Sequence, residues 1–394
     1  MSRPGKLWRN AALNAENYWY IALLGAACSC NRPASEKAFE SADAAHIAAL
    51  PAPIVVSAGA SSAVVVPATP SQPEKVDFQD VAMGTNVHFI AYSNAQASTA
   101  QVKAAMLQAL AEMRRLEGLL SEWRDDSDVG KINLSPNQWV SVGPETFAVI
   151  AHALEEGKAS GGAFDITFQA MSGVWKFGSA AEEQPKLPAK SEIERLKKLV
   201  DYRTVEIDST QHAVRIPKDH KLGLGGIAKG YIVDRAADIL KRANVRDFLV
   251  QAGGDLFGSG KKPDGSPWVT GIRDPRGPDG AFFASIELTD HAFSTAGDYA
   301  RSYVIGNRRY HHIIDPHTGY PATASRSVTV WAEDATTADA VDDAVFILGP
   351  EAGLKLVEAT PGVGVVIVDR NNKVWVSPRL EGKVLVMHPP TDGI

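Results

Sequence analysis

Gly223-Leu224-Gly225-Gly226-Ile227-Ala228-Lys229-Gly230 is the stretch that decides the fold class. It opens a helix that apolar spacing carries from Ile227 to Ala243, and it matches G-x-G-x-x-A, the dinucleotide fingerprint. That fingerprint must directly follow a buried strand, yet Pro217-Lys218-Asp219-His220-Lys221 precedes it here. A doubly wound parallel sheet is therefore not predicted. The physical point survives, because glycines let backbone amides approach an anion and a helix N-terminus favours negative charge. Lys229 adds a cation at the same place. The alternative is glycines that only allow close packing of a helix on its neighbours.

On either side, strands and helices alternate without a fixed rhythm. Val87–Tyr92 reads as a strand, and Ser98 caps a helix with Val102, Met106, Ala109, Met113, Leu116 and Leu120 at helical spacing. Pro144 starts a second helix with Phe147, Ile150 and Leu154 on one face. Thr204–Ile216 reads as a hairpin about Ser209-Thr210, and Phe248–Ala252, Trp268–Ile272, Phe282–Leu288 and Ser327–Ala332 read as strands. Thr336–Leu348 is a helix, and Val363–Val368 pairs with Lys373–Val376 across Asn371-Asn372. Hairpins are as frequent as helix crossovers, so the class is α+β. No repeat of solenoid period is present.

The 394 residues fit one large domain with an appendage, or two domains, at roughly 100–200 residues each. With 45% hydrophobic and 22% charged residues, the chain is neither a polytopic membrane protein nor wholly disordered. A net charge of −6 and a pI near 6.0 exclude nucleic acid as the main partner. Cys28 and Cys30 are the two cysteines, too few for a disulfide scaffold or a cysteine-built zinc site.

Arg3, Lys6 and Arg9 precede a short apolar run, Tyr18–Cys28, in which Gly25-Ala26-Ala27 supplies small residues for cleavage. Residues 1–30 therefore read as an export signal, with a lipoprotein signal as its variant and Cys28 or Cys30 as the lipidated residue. Leu24 stands four residues before Cys28, one more than such a signal has, and the competing reading is a buried apolar helix. Residues 31–75 are rich in Ala, Pro and Ser and read as a disordered tether. The folded body is expected over 76–389.

Two constellations carry chemistry. Asp339, Asp342 and Asp343 recur at i, i+3 and i+4, which puts three carboxylates on one helical face. Like charges so close invite a hard cation such as Mg²⁺, and the competing reading is first-turn acids that favour the helix dipole. His311-His312-Ile313-Ile314-Asp315-Pro316-His317-Thr318-Gly319 places histidines at a strand end before a turn, where a neutral imidazole can accept a proton. Ser294-Thr295-Ala296-Gly297-Asp298-Tyr299 reads as a small-residue turn, with Asp255 and Asp298 as structural acids tying turns beside the site. No P-loop, G-x-S-x-G elbow or H-E-x-x-H is present.

In order, the chain carries Met83-Gly84-Thr85, GGAFDIT (161–167), LGGIAKGYIVD (224–234), QAGGDL (251–256), STAGDY (294–299), HHIIDPHTG (311–319) and TADAVDDAVFILGP (337–350). This set resembles the ApbE family, the FAD:protein FMN transferases, over Val81 to Val357. The resemblance implies an ApbE-like, T-fold-type arrangement of mixed sheets with flanking helices. It also implies Mg²⁺-dependent transfer of FMN from FAD to a Thr or Ser hydroxyl of an acceptor flavoprotein, with release of AMP. It implies that Met83, Trp123, Ala163, Phe164, Asp165, Gly225 and Tyr231 bind FAD. Mg²⁺ would be held by the Ala228 carbonyl with Asp339, Asp342 and Asp343, and His312 would be the base in transfer. Asp343 departs from the pattern, which commonly has Thr there, and Trp123 stands where Tyr is frequent. The family is typically exported, which implies a periplasmic protein, lipid-anchored to the inner membrane in the lipoprotein variant, serving a redox or respiratory system. The alternatives are a Mg²⁺-dependent FAD diphosphatase that gives FMN and AMP, and a tethered non-enzymatic FAD-binding protein.

Overall fold

The computed structural model describes residues 72–177 and 186–394. The expected leader and nearly all of the expected tether lie outside the described residues. Lys75 already belongs to the first strand, one residue ahead of the expected start of the body.

Sixteen strands are present among the described residues: β1 (Lys75–Ala82), β2 (Thr85–Tyr92), β3 (Val140–Ser141), β4 (Glu206–Asp208), β5 (Ala213–Arg215), β6 (Phe248–Ala252), β7 (Asp255–Ser259), β8 (Trp268–Arg273), β9 (Phe282–Leu288), β10 (His291–Gly297), β11 (Ser302–Ile305), β12 (Arg308–His311), β13 (Ser325–Ala332), β14 (Gly364–Asp369), β15 (Val374–Val376) and β16 (Val384–Val386). The α-helices are α1 (Thr99–Leu120), α2 (Asp128–Leu134), α3 (Pro144–Ala159), α4 (Lys190–Leu196), α5 (Ala228–Arg242) and α6 (Ala335–Ala359). Eight strands form one sheet in the order β1-β2-β6-β7-β10-β13-β14-β15, and every neighbouring pair in it is antiparallel. The α+β class is as expected.

Both faces of this sheet are buried, and the strand sequences show why. In β14, Val365 and Ile367 join the core under α1, α5 and α6, while Val366 and Val368 join a second core against the β16-β9-β8 sheet. Alternation of side chains across a strand sends consecutive residues to opposite faces, so a strand covered on both reads as an unbroken apolar run. A third cluster (Met171, Trp175, Ile193, Tyr303, Tyr310, Ile314) joins α4 to the β11–β12 hairpin.

The helices form where the spacing predicts. Ser98 and Gln101 make a reciprocal capping box at the start of α1, whose buried residues include all six expected core positions. The 206–215 hairpin and the 364–376 hairpin are also present. The expected helix end at Leu348 is real, because Gly349 breaks the run with φ 75° and ψ −178°. Pro350 then opens a second helical run, where its missing N–H costs nothing.

One expectation is overturned. Ser294–Gly297 is not a turn but half of β10, an interior strand of the large sheet. Its residues are small because α6 crosses directly above them; only Asp298 and Tyr299 leave the strand. β12 (Arg308–His311) is the strand expected to end at the histidines, whereas β1, β7, α2 and β11 have no counterpart in the sequence reading.

Helix α5 reaches α6 at Gly230. A Cβ there would lie 2.1 Å from the Ala335 carbonyl oxygen and 2.8 Å from Asp339 Cβ, so only glycine permits the approach. Asp234 fixes the crossing by accepting the amides of Ala335 at 2.7 Å and Thr336 at 2.8 Å. Gly230→Ala forces the packed backbones of α5 and α6 apart, and a loss of about 1–3 kcal/mol or more is expected in urea unfolding. Wild-type stability would show the crossing to be loose.

Candidate functional site

Lys229 is the second residue of α5 and points its ammonium between two carboxylates. Nζ lies 2.7 Å from Asp255 Oδ2, at the start of β7, and 3.0 Å from Asp339 Oδ1, on α6. Asp339 Oδ2 accepts the Gly230 amide at 2.9 Å, so both of its oxygens are engaged. Asp342 lies one helical turn beyond Asp339, and its Oδ2 is 2.6 Å from Ser294 Oγ on β10. The same Ser294 oxygen is 2.5 Å from Asp255 Oδ1. Asp343 turns to the glycine loop: a Cβ at Gly226 would lie 2.9 Å from its Oδ2 and 3.1 Å from the Phe164 ring.

Four carboxylates thus meet one ammonium. A serine hydroxyl has a single proton to give, so it cannot donate to Asp255 and Asp342 together. A carboxyl proton, or a cation, must make up the difference. Burial, reinforced by neighbouring acids, raises Asp342 well above the carboxylate range, Asp339 to about 6 and Asp343 to about 7. Lys229 is raised in turn, since the surrounding acids outweigh its burial.

This excess of buried negative charge on an all-oxygen donor set fits a hard divalent cation. The fit is one of charge and donor type. Among the described residues no three His, Cys, Asp or Glu side chains converge as a ready-made metal cage, because Lys229 and Ser294 occupy the oxygens of Asp339, Asp255 and Asp342. Asp342 and Asp343 carry the oxygens left to turn toward an ion, and Ala228 directly precedes Lys229 at the head of α5.

The two adjacent histidines differ in what their ring nitrogens do. His311 is buried; its Nε2 lies 2.9 Å from the Ala322 carbonyl, and its Nδ1 accepts the Ile313 amide at 3.3 Å. Both nitrogens are satisfied, so His311 is structural. His312 is half-buried, with Nδ1 3.0 Å from the Ala300 carbonyl. A carbonyl can only accept, so Nδ1 carries the hydrogen and Nε2 keeps its lone pair. Desolvation by the protein around it pushes His312 down to about 3, with Arg301, His311 and Lys229 adding to the effect.

The expected FAD residues divide. Ala163 and Phe164 are buried, and the Phe164 ring borders Gly226 beside Asp343. Gly225 is exposed at the loop tip, and Trp123 is 76% exposed on the segment after α1. Met83 sits at φ 53° in the β1–β2 turn, which Thr85 brings against Gly253 of the β6–β7 turn. Asp165 is spent on structure: Oδ1 accepts the Thr167 amide at 2.8 Å and its hydroxyl at 2.6 Å, and Oδ2 accepts the Tyr202 amide at 2.8 Å. Tyr231 is half-buried, and its hydroxyl feels the charges of Arg235, Glu145, Arg115 and Glu112 on the α1 and α3 side.

Three residues escaped the sequence reading. Asp255, expected to tie a turn, is a full member of the carboxylate cluster. Ser294 bridges two of its acids. Glu122, raised by burial, lies beside the glycine loop, with Oε1 3.6 Å from where a Gly225 Cβ would be. A buried polar residue in a small-residue strand was the signal for Ser294.

A model of the ApbE family matches residues 83–367. The FAD:protein FMN transferase of Escherichia coli (strain K12) is 30% identical over 274 residues, which cover 67% of this chain and 77% of that protein. The FAD:protein FMN transferase of Treponema pallidum is 30% identical over 324 residues, 78% of this chain and 88% of that protein. The crystal structure of the ApbE protein from Thermotoga maritima superposes with a TM-score of 0.70 at 36% identity, covering 79% of this chain and 99% of that one.

A cation held by these carboxylates would compete with protons for the same oxygens. An acid raised from 3.8 to about 6 or 7 favours the folded state below the unfolded value, and that advantage is lost as pH rises through the folded one. Cation binding has the opposite sign, needing the ionised form. The rise in thermal midpoint caused by Mg²⁺ is expected to be larger at pH 8 than at pH 6. Taking the difference with and without Mg²⁺ at each pH removes the contribution of His311 and His312, whose lowered values act in the other direction. An equal rise at both pH values would place the ion elsewhere.

Proposed function

The chain belongs to the ApbE family, and from that premise we propose that it transfers FMN from FAD to a Thr or Ser hydroxyl of an acceptor protein and releases AMP. One observation carries the reading of the site: the Ala300 carbonyl fixes the Nδ1–H form of His312, which leaves Nε2 with a lone pair to accept a proton.

The reaction is a phosphoryl transfer. The acceptor oxygen bonds to the FMN-side phosphorus, the bond from that phosphorus to the bridging oxygen breaks, and AMP leaves with the bridging oxygen. The hydroxyl proton goes to His312 Nε2. Burial lowers the imidazole, which favours its neutral form in the substrate-free protein. The negative diphosphate raises its proton affinity when FAD arrives. Gly225 and Gly226, at the head of α5, present backbone to the diphosphate with no side chain in the way. Phe164 and Trp123 offer ring faces to the flat heterocycles of FAD.

Asp342 and Asp343, with the Ala228 carbonyl, would hold Mg²⁺, while Asp339, expected as a third ligand, stays engaged by Lys229 and the Gly230 amide. A bound Mg²⁺ would neutralise charge on the diphosphate and on the leaving phosphate. Asp343 gives this chain a carboxylate at the glycine loop, and so a stronger demand for that cation.

The N-terminal signal reading supports an exported, periplasmic enzyme tethered by residues 31–75, with lipid on Cys28 or Cys30 in the lipoprotein variant. Its acceptor would then be a flavoprotein of a redox or respiratory system facing that compartment. Cell fractionation that leaves the protein in the cytoplasm would sink this placement.

Purified protein, FAD, Mg²⁺ and a flavin-acceptor domain test the activity. Mass spectrometry is expected to show the acceptor heavier by FMN less water, with AMP appearing in step. Free FMN and AMP beside an unmodified acceptor would favour the diphosphatase. His312→Ala is expected to keep FAD binding and lose transfer by about 10²-fold or more. Undiminished transfer in that variant would remove His312 from the chemistry.

A further inference from the structure

The carbonyl that fixes the His312 tautomer belongs to Ala300, in the turn that follows β10. Asp298, Tyr299 and Ala300 of that turn are each held from a different direction. The Ala300 amide closes back on the Gly297 carbonyl at 3.4 Å, and the Asp298 amide donates to the Arg326 carbonyl at 3.0 Å. The Tyr299 ring lies over Gly297, only 2.4 Å from where a Cβ would stand, and the Arg273 guanidinium sits 4.5 Å above that ring.

The strongest hold is on Asp298. Both of its oxygens take the Arg276 guanidinium, at 2.6 Å and 2.7 Å, and the two side chains are only 8% and 9% exposed. Arg276 is itself seated on Asp274, whose Oδ1 accepts the Arg276 and Gly277 amides at 3.1 Å each. Asp274 is clamped from its other side by Thr391, through the amide at 3.0 Å and the hydroxyl at 2.6 Å. A contiguous set of bonds thus runs from Thr391 through Asp274, Arg276 and Asp298 to the Ala300 carbonyl and the imidazole.

A buried ion pair is weak support for stability, because desolvation offsets its attraction, whereas its bidentate geometry is strict. We infer that Arg276 and Asp298 are a positioning pair for transfer, holding the Ala300 carbonyl so that His312 keeps Nε2 free and aimed at the acceptor hydroxyl. The inference rests on the reading of His312 as the proton acceptor. Arg276 and Asp298 touch neither substrate nor the reacting atoms; they act through the imidazole.

Arg276→Gln and Asp298→Asn test it, alone and each combined with His312→Ala. Each single variant is expected to lower kcat for FMN transfer by about 10–100-fold, the scale of a misplacement near 1 Å, with KM for FAD within about twofold. Combined with His312→Ala, neither is expected to add a further loss, since residues that act through one group are not additive. In protein labelled with ¹⁵N-histidine, the His312 ring is expected to show the single Nδ1–H tautomer in the wild type and a tautomer mixture in both variants. Should Arg276→Gln not fold, Asp298→Asn, which keeps size and one acceptor, gives the same reading. An equal proportional loss with and without His312, or an unchanged tautomer, would make the pair merely structural. Full transfer by His312→Ala would instead overturn the reading of His312 itself, and the two failures are distinguishable.

Discussion

A single ammonium holds the site together. Lys229 reaches from the first turn of α5 to Asp255 on the sheet and Asp339 on α6, so one side chain ties three elements that the chain supplies far apart. It does so only because α5 and α6 touch at Gly230, where a methyl group would collide with the Ala335 carbonyl. Two like charges in a buried site repel strongly at low effective dielectric, and the ammonium between them removes most of that cost. Having spent its charge on Asp255 and Asp339, Lys229 leaves Asp342 and Asp343 without a cation of their own. The helical offset that places three acids on one face thereby sorts them into one that is locked and two that can answer a ligand.

The same constraint separates functional acids from structural ones by how their oxygens are satisfied. Asp165 and Asp234 are also part-buried acids within glycine-rich motifs, and desolvation raises both, Asp234 to about 6. Yet each has both oxygens filled by backbone amides and threonine hydroxyls. Such an acid ties backbone segments together, with both of its oxygens already engaged. The histidine pair sorts in the same way, His311 closed on two backbone partners and His312 on one. Counting open lone pairs separates chemistry from architecture where residue type alone does not.

Much of this was legible in the sequence, and the rest failed for identifiable reasons. The helices α1, α3, α5 and the first run of α6 follow from apolar spacing with a capping residue, an N1 proline or a breaking glycine at their ends. The i, i+3, i+4 acids fall on one face because helical geometry leaves no choice. Strand β10 was misread because Ser294, Thr295, Ala296 and Gly297 carry turn-like composition, while their smallness is set by the helix packed over them. Asp255 was read as a turn residue because no local pattern shows that Lys229, 26 positions away, will fold onto it. A cluster assembled from β7, β10, α5 and α6 is visible only once the sheet order is known.

The placement of Asp343 couples the two ligands proposed for the site. Its carboxylate faces Gly226, the loop whose backbone would receive the FAD diphosphate, and is raised to about 7 by burial beside other acids. A threonine there would leave the loop uncharged. An ionised aspartate opposes a diphosphate, and a protonated one opposes a divalent cation. A bound cation would cancel the repulsion between Asp343 and the diphosphate, and the diphosphate would add oxygens for the cation. Coupling of this kind is reciprocal by linkage. With both proposed ligands bound, the glycine loop and the acidic face would be halves of one charge-balanced site.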